Sequence, residues 1–344
     1  MNGRIDRLRE ALRERLLVTN PKSVEYLIGF RSSNAALLVE EDRVSLYADF
    51  RYAEAGQSVQ GVEFVEVERA LLKALAHRLS GRVAFESAHV SYAGYETLRA
   101  GGLELVPLAG AVEALRAVKD EQELDAVRRA CAITDVVYDR LADEKFVGRS
   151  ELDVAWTMTE LFHEEGSLPA FELIVASGPN AAKPHARASE RVIERAETVV
   201  IDAGCAVDGY VSDYTRTFAT GPLSDELNDA YRVCAEAQQA GLETIGAGVT
   251  GVDADAAARR VVDASEFAGT FGHGLGHGIG LEVHEAPRLS TVSTDMLVPG
   301  NLVTVEPGIY LPGRGGIRIE DDVVVTADGI ENLTSLRKDL VTVN

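Results

Sequence analysis

The chain's chemistry is concentrated in four short stretches of its second half. Val199-Val200-Ile201-Asp202 and Tyr210-Val211-Ser212-Asp213 flank Asp208-Gly209, a dipeptide suited to a two-residue hairpin turn. With that turn, Val207 pairs with Tyr210, Gly204 with Asp213 and Asp202 with Thr215. Asp202 and Asp213 then become diagonal neighbours on one ribbon face, about 7 to 8 Å apart at the backbone. Carboxylates converging away from water need cations to neutralise them. Taken alone, the pattern reads first as two solvated strand aspartates and only second as a metal site.

The second stretch runs from Phe271 to Glu285 and holds His273, His277 and His284, three of only 7 histidines in the chain. Glycines at 272, 274, 276, 278 and 280 pack no core themselves, and without a Cβ they let backbone approach another group closely. A flexible glycine linker is the bland alternative. Linkers are Ser-rich and polar, whereas Leu275, Ile279, Leu281 and Val283 are interleaved here as in a buried segment.

The third stretch, Leu302-Val303-Thr304-Val305-Glu306-Pro307-Gly308, is an apolar strand ending in a carboxylate. In the fourth, Ile317 to Val325, the period of two puts Arg318, Glu320 and Asp322 on one face. A glutamate on an apolar strand usually marks an edge. Two of them, beside the aspartate pair and the histidines, make a metal site the stronger reading.

Asp202 to Thr217, His273 to Glu285, Glu306-Pro307-Gly308 and Arg318 to Asp322 resemble the motifs of the pita-bread metallopeptidases, in the branch of Xaa-Pro aminopeptidase and Xaa-Pro dipeptidase (prolidase). The resemblance spans about 185 to 322 and extends more weakly through Lys119 to Ala130. Tyr26-Leu27-Ile28-Gly29-Phe30 and Asp49-Phe50-Arg51-Tyr52 are similar to the creatinase-like amino-terminal domain of that branch. Methionine aminopeptidases usually lack that domain.

What the resemblance implies is an α+β fold with a carboxy-terminal pita-bread domain and a smaller α/β creatinase-like amino-terminal domain. Its metal ligands would be Asp202, Asp213, His277, Glu306 and Glu320, with Asp213 and Glu320 bridging. Such an oxygen-rich set, holding two divalent ions, favours Mn2+, with Co2+ or Zn2+ as alternatives. The activity implied is hydrolysis of the bond preceding proline in short proline-containing peptides, by attack of a metal-activated water. Glu306 would carry the proton, and His284 would stabilise the oxyanion. His273 and His185 would line the substrate pocket, although His185 by itself reads as a structural histidine. Arg288 would hold the carboxylate of a terminal proline, against the alternative of a surface or structurally paired arginine. Arg318 is expected to orient Glu320. Two other readings are a methionine aminopeptidase-like activity and a catalytically silent scaffold of the same fold. The resemblance also makes a homodimer plausible.

Several elements must position these residues. Helices are expected over 4 to 17, 66 to 79 and 91 to 99, with strands over 35 to 39, 44 to 48 and 83 to 86. Asp120, with Glu123 completing a capping box, opens a helix whose apolar positions run from Leu124 to Leu141. Ser150 opens another, to His163. Further helices are expected over 224 to 245 and 252 to 266, and strands over 197 to 203, 210 to 219, 302 to 306 and 317 to 325. The lobes meet near 105 to 118, giving domains of 1–115 and 119–344.

Composition narrows the partners. With 34 basic and 55 acidic residues the formal charge is −21, which repels phosphate backbones and anionic membranes, so no nucleic acid and no membrane partner is expected. Cys131, Cys205 and Cys234 lie in segments that read as helix or strand interiors and do not form a disulfide framework. The charged start from Met1 to Arg7 does not suit a signal peptide, and no apolar run reaches the length of a membrane span. A cytoplasmic location follows as the default.

Overall fold

In the computed structural model, which describes residues 3–344, the short apolar runs of the first third pair into one mixed sheet. Met1 and Asn2, at the head of the charged start, lie outside the described residues. The chain divides into two units after Arg116.

The first unit's strands are β1 (Leu16–Val18), β2 (Ala35–Val39), β3 (Val44–Ala48), β4 (Glu63–Glu66), β5 (Arg82–Glu86) and β6 (Glu104–Leu108), in the order β4-β3-β2-β1-β5-β6. Helices α1 (Gly3–Ala11), α2 (Pro21–Ile28), α3 (Ala53–Gln57), α4 (Leu71–Arg78), α5 (Tyr92–Ala100) and α6 (Ala111–Ala117) intervene. Leu17 and Leu38 of the sheet pack with Leu71, Leu75 and Leu98 of the helices. Each such leucine contributes about 1.5–3 kcal/mol through burial.

Two expected helices are shorter than their apolar patterns. The one expected to reach residue 17 stops at Ala11, because Leu16–Val18 is wholly buried and pairs with both β2 and β5. The one expected from residue 66 starts at Leu71, because Glu63–Glu66 joins β3 in parallel. Backbone pairing in the sheet overrides local periodicity in both places.

The second unit opens with α7 (Glu121–Ala142), capped by the reciprocal Asp120 and Glu123 bonds, and α8 (Glu151–Glu164), capped likewise by Ser150 and Asp153. Each cap stabilises its helix by about 1 kcal/mol. Then follow β7 (Ile174–Ser177), β8 (Thr198–Ala203), β9 (Ala206–Val207), β10 (Tyr210–Val211) and β11 (Tyr214–Ala219). After α9 (Asp225–Thr244) and α10 (Gly251–Asp263) come β12 (Gly276–Gly278), β13 (Glu285–Leu289), β14 (Leu302–Val305), β15 (Gly308–Leu311), β16 (Gly315–Arg318), β17 (Asp321–Val325), β18 (Ile330–Asn332) and β19 (Val341–Thr342).

These strands form sheets β19-β11-β8-β7 and β13-β12-β14-β17-β18, with ribbons β9-β10 and β15-β16. Leu227, Ala230, Cys234 and Ala237 of α9 recur at helical spacing and pack against Leu275, Val303, Val305 and Ile317. The strands expected over 210 to 219 and 317 to 325 are each broken, at Ser212–Asp213 and at Ile319–Glu320. There the backbone leaves the ladder: the Asp213 amide donates to Asp322 Oδ2, and the Glu320 amide donates to the Thr215 carbonyl.

Cys131 and Cys234 lie inside helices and Cys205 lies between β8 and β9; all three are buried free thiols. Among the described residues, no helix is long and apolar enough to cross a membrane.

Candidate metal centre

A cavity of about 480 Å³ in the second unit is lined by Asp202, Asp213, His277, Glu306 and Glu320. Asp202 comes from β8 and faces Thr215 on β11, in the register expected from the turn, since Val207 pairs with Tyr210. Asp208 at φ 53° and Gly209 at φ 94° supply the left-handed backbone that such a turn requires.

His277 is the middle residue of β12. Its amide donates to Thr304 Oγ1 at 3.1 Å. A Cβ on the preceding Gly276 would lie 2.0 Å from the Thr304 carbonyl oxygen, so only glycine lets β12 sit this close to β14. Glu306 follows β14 and donates its amide to the Leu275 carbonyl at 2.8 Å.

The donor atoms converge. One from each of Asp213, His277 and Glu320 lies within 4.8 Å of the others. His277 Nε2 is 3.3 Å from Glu306 Oε1 and 3.8 Å from Asp213 Oδ2. His277 Nδ1 lies 3.1 Å from the Gly278 carbonyl, which can only accept, so Nδ1 carries the proton and Nε2 presents its lone pair to the carboxylates.

The electrostatics fit a cation. Burial, reinforced by Asp202, pushes Asp213 well above the carboxylate range, and burial, reinforced by Asp213, does the same to Glu320. Burial raises Glu306 to about 8. Burial also lowers His277 to about 3, so its imidazole is neutral. The buried Oδ1 of Asp202 accepts no hydrogen bond from the described residues. An unpartnered buried carboxylate oxygen beside three other acids is a costly arrangement that divalent ions relieve.

Arg318 bonds Asp202 directly and reaches Glu320 through a threonine. Its Nη2 donates to Asp202 Oδ2 at 2.6 Å and its Nε to Thr215 Oγ1 at 2.8 Å. Thr215 Oγ1 in turn donates to Glu320 Oε2 at 2.6 Å, so Arg318 meets Glu320 only through that threonine. Arg318 and Glu320 both line the cavity, although the strand breaks at Ile319–Glu320 between them.

The remaining candidates also line the cavity. His273 Nδ1 donates to the Gly274 carbonyl, and Nε2 accepts from Tyr310 Oη, both at 2.8 Å; that hydroxyl accepts from Arg318 Nη1 at 3.1 Å. Both ring nitrogens of His273 are thus engaged within the protein. The His284 ring centroid is 4.3 Å from that of His277, and burial together with Arg288 lowers its pKa. His185 is exposed, and the Pro184 carbonyl before it accepts from Arg318 Nη1 at 3.1 Å. Arg288 pairs with His277 across β12 and β13 and has an exposed side chain.

Sequence reasoning missed Thr304, Tyr310, Phe171 and Ile174, and it used Thr215 only as a register partner. Thr215 lies two residues after Asp213 and Thr304 two before Glu306, so the period of two was the signal that could have found them. Nothing local marks Tyr310 or Phe171, which tertiary folding brings to the site.

The chain matches metallopeptidase family M24 over residues 125–327 and the creatinase/prolidase N-terminal domain over residues 4–118. It is 38% identical to an uncharacterized peptidase of Bacillus subtilis over 334 residues, 95% of each chain. Among solved structures, it is similar to an Xaa-Pro dipeptidase from Bacillus anthracis, with TM-score 0.95, 37% identity and 99% of each chain covered. An X-Pro aminopeptidase from Thermotoga maritima gives TM-score 0.87 at 32% identity, covering 98% of this chain and 100% of that one.

Proposed function

We propose, because this chain belongs to metallopeptidase family M24, that it cleaves the peptide bond preceding proline in short peptides with the help of two divalent metal ions. Its architecture is the one expected of that family, a pita-bread domain preceded by a creatinase-type α/β domain. The observation that carries the reading is the convergence of Asp202, Asp213, His277, Glu306 and Glu320 on one cavity.

These five residues would hold the ions. Four carboxylates and one neutral imidazole form a hard donor set suited to Mn2+. When bound, two such ions make water acidic enough to act as a nucleophile near neutral pH and polarise the scissile carbonyl. Glu306, an ionised carboxylate once the ions are held, would take a proton from the attacking water at its free oxygen and pass it to the leaving proline nitrogen. His284, beside His277 but outside the ligand set, is positioned to donate to the oxygen that becomes negative. His185 and His273 form wall for the substrate, as do Phe171 and Ile174.

The creatinase/prolidase N-terminal domain weighs against a methionine aminopeptidase, and the complete ligand set weighs against a silent scaffold. Metal analysis combined with an assay on an Xaa-Pro dipeptide, an Xaa-Pro-Yaa tripeptide and a Met-Ala-Yaa tripeptide tests the proposal. Cleavage of the proline peptides, lost on chelation and restored by Mn2+, is the expected result. Cleavage of the methionine peptide alone, or of none, overturns it.

A further inference from the structure

Glu320 stands in the gap between β16 and β17, where neither strand's ladder satisfies its backbone. Its amide donates to the Thr215 carbonyl at 3.1 Å, its carbonyl accepts from Arg216 Nη1 at 2.6 Å, and its carboxylate accepts from Thr215 Oγ1 at 2.6 Å. Two consecutive residues of β11 therefore orient it. The register of β11 on β8 fixes Thr215. Something else must fix the long side chain of Arg216.

All five N–H groups of that guanidinium are used. Nε donates to the Arg337 carbonyl at 3.2 Å, and Nη1 donates to the Thr215 carbonyl at 2.9 Å as well as to Glu320. Nη2 donates to Asp321 Oδ1 at 2.8 Å and to the Leu336 carbonyl at 3.0 Å. Asp321 is fully buried, and its Oδ2 accepts from Gln238 Nε2 at 2.9 Å, Asn332 Nδ2 at 2.9 Å and Lys338 Nζ at 2.6 Å. Neither Arg216 nor Asp321 lines the cavity.

From this geometry we infer that Arg216, locked by Asp321 and by the carbonyls of Leu336 and Arg337, is a positioning residue that sets Glu320 for metal binding. The carboxy-terminal segment around Lys338 thereby governs metal affinity without touching the metals. The inference rests on the proposed role of Glu320 as a ligand. A planar fork of fixed donors is what the arrangement needs, because one group must face two tail carbonyls, one carboxylate and the Glu320 carbonyl together. Lysine keeps the charge opposite Asp321 but lacks the fork.

The test is titration of Mn2+ into the metal-free full-length protein, followed by calorimetry and by electron paramagnetic resonance. Wild type, Arg216→Lys, Lys338→Met and Glu320→Gln are compared, with circular dichroism and apo unfolding as fold controls. Wild type should bind two ions as a spin-coupled pair. Arg216→Lys should fold yet bind at least one ion about tenfold more weakly, with the signal of uncoupled Mn2+. Lys338→Met removes only a partly exposed amine and should weaken binding in the same direction by less. If Arg216→Lys binds a coupled pair with wild-type affinity, the inference is overturned. Should that variant fail to fold, Lys338→Met decides, and unchanged affinity there overturns the inference. If Glu320→Gln binds both ions like wild type, the ligand assignment itself fails, which is a separate and recognisable result.

Discussion

Arg318 Nη2 lies 2.6 Å from Asp202 Oδ2, and the two side chains, 4% and 14% exposed, form a buried ion pair at the edge of the carboxylate cluster. One guanidinium thus ties together Asp202, Thr215, Tyr310 and the Pro184 carbonyl. Removing one partner of such a pair leaves the other charge buried. Arg318→Met should destabilise the metal-free protein by about 3–5 kcal/mol. Urea unfolding with and without Mn2+ checks this, and the loss should be smaller with metal, because a bound cation also compensates Asp202. An equal loss in both states would detach Asp202 from metal binding.

Metal dependence should distinguish the two aspartates of the hairpin. Chelation should abolish hydrolysis until Mn2+ or Co2+ returns. Asp213→Asn should lower metal content and activity more than Asp202→Asn, since Asp213 is grouped with both His277 and Glu320 whereas Asp202 is shared with Arg318. Equal, mild losses in metal content would show that the bridge has been assigned to the wrong residue.

The two neighbouring imidazoles should separate binding from catalysis. His277→Ala removes the Nε2 that faces Glu306 and Asp213, and should lose metal. His284→Ala should keep metal and fold while kcat drops about 10²- to 10³-fold, the usual effect of deleting an oxyanion donor. Metal content and kcat measured together on both variants test this, and parallel behaviour would merge their roles.

The pH dependence of stability should differ between metal-free and loaded protein. Burial raises Glu306 from an ordinary 4.5 to about 8, so the folded chain keeps a proton that the unfolded chain has lost. That contribution is fully present below the unfolded value and disappears as pH rises through about 8. Asp213 and Glu320 shift in the same direction and act with the same sign. His273 and His277, lowered from 6.5 to about 4 and about 3, oppose folding only below their unfolded value. Above about pH 6.5 the metal-free protein should therefore lose stability, and metal binding should release protons. Melting temperatures from about pH 6.5 to 9, with and without Mn2+, read the difference. A flat metal-free profile would contradict it.

Arg288 offers the choice between dipeptidase and aminopeptidase. Its exposed side chain lines the cavity from β13, beside His277 and four residues after His284. A guanidinium can grip a terminal carboxylate through two parallel hydrogen bonds. Arg288→Ala should then raise KM for Xaa-Pro dipeptides far more than for Xaa-Pro-Yaa tripeptides, because only the dipeptide carries its charge at that spot. Proportional losses on both substrates, or a wild type that ignores dipeptides, would favour the aminopeptidase.

Local sequence determined the parts of this protein that depend on near neighbours. The Asp208-Gly209 turn and the period of two set Asp202 opposite Thr215, and the Asp120 and Glu123 cap started α7, because each relation is settled within a few residues of backbone. The positions of the acidic and imidazole candidates were legible for the same reason, since a carboxylate or histidine inside an apolar strand is visible without a fold. Which partner each of them meets was not. Arg318 and Glu320 both line the cavity and both meet Thr215, yet Arg318 also pairs with Asp202, while Arg216, itself held by Asp321 and the Leu336 carbonyl, bonds the Glu320 carbonyl. Only the tertiary structure decides such pairings, because they join residues about a hundred positions apart, and burial forces each charged group to find whatever partner the packed chain brings within reach.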